Sequence, residues 1–199
     1  FLVQTFLAIQ TGQWQRAQQC SDNALTIART LRDLDLQARI LWGRSILAGW
    51  LNDWQQAICE ITEALQIAQQ ADRPSMVYPH LLIQAAKAHL YANHIDEAQR
   101  YLDQGMRLAQ ERQYRQVPAL GKRLQGRILF AQGAYDQARP YFEQSLHELE
   151  SLEDMVEYAR TLEAYGQCCL ADPSQDRQRQ GQTLLAEAQE IFQRLGMKG

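Results

Sequence analysis

Small residues return along this chain at a nearly constant step. Thr5, Ser45, Ala86, Gly126 and Gly166 form one series, with spacings of 40, 41, 40 and 40. Ala17, Ala57, Ala98 and Ala138 form a second. Ala24, Ala64, Gly105 and Ser145 form a third, which reaches Ala188 three residues late. All three registers agree on the one extra residue near the second junction, so the chain is an internal repeat of about forty residues. Within each repeat the apolar positions have helical spacing on both sides of a short polar break, which predicts two helices per unit. First helices are expected near 1–10, 34–50, 75–91, 115–131 and 154–170, and second helices near 14–31, 54–71, 95–112, 135–151 and 176–194.

The breaks support that division. Gly12, Asn52, Asn93 and Gly133 share one register, and Gly and Asn most readily take the left-handed conformation that ends a helix. Two residues on stands a bulky side chain, Trp14, Trp54, Ile95 or Tyr135, suited to fill the seam between repeats; Trp14 and Trp54 are expected in the core. Asp53, Asp96 and Asp136 sit where the second helix begins, fitting a cap and the positive dipole end. Pro74, Pro79, Pro118 and Pro140 fall at or near helix starts, where a missing N–H costs least. The polar stretch 171–180 reads as a longer, mobile connection before the last helix, which accounts for the late Ala188.

Composition removes the alternatives. Gly and Pro total 16 residues while Gln occurs 29 times among Ala, Leu, Glu and Arg, and Val appears only at 3, 77, 117 and 156. Helix formers dominate and runs of β-branched residues are missing, so the fold is all-α. No apolar run is long enough to span a membrane. A net charge of −3 argues against general nucleic-acid binding, which needs a basic face. Cys20, Cys59, Cys168 and Cys169 lack metal or scaffold spacing and read as reduced packing residues, with a Cys20 to Cys59 bridge between neighbouring repeats as the alternative. No signal peptide is visible and the expected location is the cytoplasm. Phe1 lies inside an apolar helical pattern, so the chain is expected to be a piece of a longer polypeptide.

The segment Gly126 to Leu146, G-R-I-L-F-A-Q-G-A-Y-D-Q-A-R-P-Y-F-E-Q-S-L, carries a small residue on the first helix, a Gly-x-Tyr turn, an Ala, and a Phe and Leu on the second helix. In these features it resembles the tetratricopeptide repeat (TPR) family. Segments 12–28, 52–68 and 93–109 match the same template less fully. The forty-residue step exceeds the family's common unit of 34, and in this the chain looks like the MalT-like TPR region of large bacterial regulators. Residues 184–197, L-L-A-E-A-Q-E-I-F-Q-R-L-G-M, also look like the close of such tails. The resemblance implies an α-α superhelix, a right-handed TPR solenoid of five helix pairs in a single domain over 1–199, with repeats near 1–33, 34–73, 74–113, 114–153 and 154–196.

Chemistry for catalysis is missing from the pattern. His80, His89, His94 and His147 form no close ligand pair, and there is neither a Gly-rich phosphate loop nor a nucleophile motif. No enzymatic activity, cofactor or metal is expected. The family resemblance instead places a ligand groove on the first helices. By register its wall would hold Phe6 in the first repeat; Arg39, Trp42, Ile46 and Trp50 in the second; His80, Ile83, Lys87 and Tyr91 in the third; Arg123, Arg127 and Phe130 in the fourth; and Arg160, Glu163 and Gln167 in the fifth.

Charge distinguishes that wall. The first-helix windows hold eight basic residues (Arg39, Arg44, Lys87, Arg115, Lys122, Arg123, Arg127, Arg160) and four acids, whereas all other segments hold twelve basic and nineteen acidic residues. Guanidinium groups interleaved with aromatics suit an extended protein segment bearing carboxylates and apolar anchors; the competing reading is solvated charge pairing along its own helices. On the first reading Arg123 and Arg127 are surface charges whose joint removal leaves melting nearly unchanged. The expected function is a non-enzymatic protein-interaction module, the C-terminal regulatory arm of a larger bacterial signalling or transcription regulator, with a protein or peptide partner in trans or in the same polypeptide. The alternative is a small-ligand sensor of the MalT type, with its effector around Trp42, Trp50 and Tyr91. Association of copies through the apolar edge Phe1, Leu2, Phe6 and Leu7 is a third reading, and the oligomeric state is left open.

Overall fold

The computed structural model describes residues 13–71 and 75–197, and every regular element among them is an α-helix. The helices are α1 (Trp14–Thr30), α2 (Leu34–Trp50), α3 (Trp54–Gln70), α4 (Tyr78–Tyr91), α5 (Ile95–Glu111), α6 (Gln116–Ala131), α7 (Tyr135–Ser151), α8 (Met155–Ala171) and α9 (Gln175–Arg194). The helix expected near 1–10, with Thr5, Phe6, Gly12 and the apolar edge at Phe1, lies outside the described residues, as does Pro74. The chain divides into two compact units, residues 1–105 and 106–199, the boundary falling within α5.

Among the described residues, seven helix ends share one closure. Arg32, Asn52, Asn93, Gln113, Gly133, Glu153 and Gly196 all have positive φ, between 54° and 77°. At each, the following residue donates its N–H to a carbonyl five residues back, as Asp53 does to Ala48 at 2.9 Å and His94 to His89 at 2.8 Å. This closure satisfies the orphan carbonyls that every helix end leaves. The sequence shows Asn52, Asn93 and Gly133 as such positions. It hides Arg32, Gln113 and Glu153, which adopt the same backbone without the freedom of glycine.

At the helix starts, Asp33, Asp53 and Asp154 accept N–H bonds from Leu36, Gln56 and Glu157 at 3.0, 3.0 and 3.1 Å. Asp96 and Asp136 lie inside the first turns of α5 and α7, so they act on the dipole end and not as caps. The stretch 171–180 is not a long loop. Helix α9 begins at Gln175 and runs 20 residues against 17 for α7, so the three extra residues became most of a helical turn. The connection 172–174 is pinned: Asp172 is buried, accepts from Ser174 N–H and pairs with Arg177.

Within each unit consecutive helices pack on one another, and short connections, most of them three residues long, make neighbours antiparallel. First helices also touch first helices, α2 against α4 and α6 against α8. Several polar contacts along these pairs join residues about one repeat apart: Ser75, just before α4, to Asp35 at 2.7 Å, Gln84 to Ser45 at 3.2 Å, and Arg127 to Gln167 at 3.2 Å. The first helices therefore run parallel and nearly in register, so a sequence period becomes a spatial period.

The small-residue series is where helices meet most closely. Ala17, Ala57, Ala98 and Ala138 are all buried. Ser45 donates to the Ala57 carbonyl and Ser145 to the Ala119 carbonyl, both at 2.8 Å. A Cβ at Gly126 would stand 2.8 Å from the Phe142 ring, and one at Gly181 would stand 2.8 Å from the Gly166 carbonyl oxygen. Backbone contacts between α8 and α9 thus exclude any side chain at Gly181.

Candidate functional site

In the first unit the wall residues fall into different environments. Arg39 pairs with Asp35 one turn back at 2.7 Å, and Trp42 tilts against His80 with ring centroids 5.6 Å apart. Lys87 is half-buried on α4. Ile46 packs with Trp14 against Ala17 and Leu47. Ile83 is only 7% exposed, close to where a Cβ on Gly105 would stand, so it belongs to the interior instead of the groove. Trp50, at 40% exposure, stacks on Trp14, and Tyr91 stacks on Trp54. The three aromatics proposed to surround one small effector, Trp42, Trp50 and Tyr91, each take a different aromatic partner.

In the second unit Arg123 is the main correction. Its guanidinium donates to Glu157 Oε2 at 2.8 Å and to the Glu157 carbonyl and Thr161 Oγ1 at 3.3 Å, and the two side chains are only 13% and 15% exposed. Glu157 Oε1 also accepts from Arg160 at 2.6 Å. Burial pushes the Glu157 carboxyl up, but Arg123 and Arg160 overcome that and hold it down at about 2. Arg123 and Arg160 are thus tied to one buried carboxylate that bridges α6 and α8. Arg127 donates to Gln167 near the surface, Glu163 is half-buried, and Phe130 lies against the core formed by Phe142 and Tyr165.

The basic wall is therefore not an open row of cations. Arg44 turns from α2 to Glu60 on α3 at 2.8 Å and to Asp22 on α1, and Lys122 turns from α6 to Glu148 on α7. With Arg39, Arg123 and Arg160, at least five of the eight first-helix cations have carboxylate partners. Most of these pairs cross between helices, which neither sequence reading anticipated. Forty-residue register would set Arg123 beside Glu163, whereas its partner is Glu157, thirty-four positions on. The one local signal was the i, i+3 relation of Glu157 to Arg160.

Cys20, Cys59, Cys168 and Cys169 are free thiols, so no bridge joins Cys20 to Cys59. His89 and His94 lie with ring centroids 5.6 Å apart, and burial, followed by the neighbouring His94, lowers the His89 imidazole. Among the described residues no group of three His, Cys, Asp or Glu side chains could hold a metal, and no helix is long and apolar enough to cross a membrane.

No family model matches the chain, and a search of curated proteins returns no match. Among solved structures it is similar to RapI, seen as the crystal structure of its apo form, with a TM-score of 0.77, 14% sequence identity and 92% of this chain covered. The likeness decides the architecture. The fold is an all-α, TPR-like array of paired helices. This chain spans 64% of the RapI chain.

Proposed function

We propose that the chain is a non-enzymatic protein-interaction module, the regulatory arm of a larger bacterial signalling or transcription regulator, which receives an extended partner segment along the paired first helices within each unit. The observation that carries this reading is the parallel, in-register contact of α2 with α4 and of α6 with α8. It repeats equivalent side chains at even spacing, as recognition of an extended chain requires. Trp42, His80 and Arg39 supply the recognition surface in the first unit, and Arg127, Glu163 and Gln167 in the second. Because at least five of the eight wall cations already have carboxylates, apolar anchors carry more of the affinity than charge does.

The test is a displayed library of extended peptides selected on the full chain, with binding mapped by amide chemical shifts. Shifts concentrated on α2, α4, α6 and α8, and a loss of about tenfold or more on Trp42→Ala, support the reading. Selected peptides that perturb only the second helices would refute it.

A further inference from the structure

In the first unit, aromatic pairs mark the junctions between successive repeats. The first residue of a second helix stacks on the last residue of the next first helix. Trp14 meets Trp50 at 6.2 Å between centroids and 23° between planes, and Trp54 meets Tyr91 at 4.4 Å and 18°. In the second unit the same two positions are Tyr135, which opens α7, and Ala171, which closes α8. A methyl group stands where the two junctions of the first unit have an indole or a phenol, as it also does at Ala131, which closes α6. Beside Tyr135 lies a cavity of about 280 Å³, walled by Phe130, Phe142 and Tyr165 and edged by Arg139 and Arg177. Tyr135 tilts by 55° onto Phe130 of its own repeat.

The walls suit a ring. Phe142 and Tyr165 stack at 4.9 Å and 8°, and the thiols of Cys168 and Cys169 add polarizable surface. Burial pushes the Cys168 thiol up to about 11, so it carries no charge near neutral pH. The charged groups at the mouth are already matched, since Arg177 bridges Asp172 and Asp136 and Arg139 pairs with Glu143. The Tyr165 hydroxyl accepts from Gln180 at 3.4 Å and keeps its own hydrogen to donate. Arg177 and Gln180 lie near the start of α9, the helix lengthened by the three-residue insertion. An apolar cavity of about 150 Å³ suffices for benzene, so this one holds a single ring with a short substituent.

The geometry points to a binding site between α7, α8 and α9 for one aromatic ring bearing an acceptor oxygen, which completes in the second unit the stack that Trp50 and Tyr91 complete in the first. The ring belongs either to a free small molecule or to an anchor side chain of a bound peptide.

The probe is 4-fluorophenol, followed by ¹⁹F NMR with the full chain, and the comparison ligand is cyclohexanol. The expected Kd is on the order of 1 mM, as for a fragment of this size, with cyclohexanol weaker by roughly tenfold because it cannot stack. Ala171→Trp places a ring at the ladder position from an exposed helix end, so helicity by circular dichroism stays as in the wild type. It is expected to raise the melting midpoint and weaken 4-fluorophenol at least tenfold. N-acetyl-tyrosine amide, which carries the same phenol ring on a peptide backbone, separates the sources: competition equal to the phenol assigns the ring to a peptide anchor, and failure to compete assigns it to a small molecule. Equal binding of cyclohexanol, absence of phenol binding, or wild-type phenol affinity in Ala171→Trp overturns the site.

Discussion

Removing the Glu157 carboxylate is expected to produce a large and pH-specific loss of stability. Its folded value of about 2 lies some 2.5 pH units below the ordinary 4.5. At about 1.36 kcal/mol per pH unit, that difference is worth about 3 kcal/mol. Between pH 4.5 and 2 the unfolded chain binds a proton at Glu157 that the folded chain refuses. Stability from this group is therefore fully present above about pH 5 and drains away as pH falls through that window. Glu157→Gln leaves Arg123 and Arg160 without their carboxylate, and the cost is expected to be about 3 to 5 kcal/mol at pH 6. Arg123→Ala should cost a comparable amount, unlike Arg127→Ala, whose near-surface contact is worth about 0 to 1 kcal/mol. Urea unfolding followed by circular dichroism at pH 6 and pH 3 measures each term. In Glu157→Gln the wild-type loss between those two pH values should shrink by most of its size. If Glu157→Gln matches the wild type at pH 6, or keeps the full acid sensitivity, the buried bridge between α6 and α8 is not what holds that unit together.

Three further outcomes follow from the backbone and the thiols. Glu153 holds φ at 56° without being glycine, so Glu153→Gly is expected to stabilise the chain by about 0.5 to 1 kcal/mol, read as a higher melting midpoint. Gly181→Ala sets a methyl against the Gly166 carbonyl oxygen, which cannot rotate away, and should cost at least about 1 to 3 kcal/mol in urea unfolding. Iodoacetamide at pH 8 should label exposed Cys59 well before Cys168, whose thiol is buried and raised to about 11; mass spectrometry of tryptic peptides reads the order.

The forty-residue period, the two helices per repeat and the small-residue contacts were legible in the sequence because each depends on local periodicity repeated several times. Ala17, Ala57, Ala98 and Ala138 had to be small wherever paired helices touch, and a register of such positions shows without coordinates. The left-handed turns were legible only where Asn or Gly advertised them. Arg32, Gln113 and Glu153 take the same backbone because five-residue hydrogen bonds at the helix ends compel it. Side-chain partnership was decided by tertiary structure. A long Arg or Lys reaches several ångströms from its helix, and which neighbour it meets depends on how two helices cross. Arg44, Lys122 and Arg123, read along the sequence as one basic wall, were therefore drawn to Glu60, Glu148 and Glu157. The late Ala188 showed in the sequence as three inserted residues. Whether they became loop or helix was settled by Asp172, whose buried contacts with Ser174 and Arg177 let α9 start early and wall the cavity beside Tyr135.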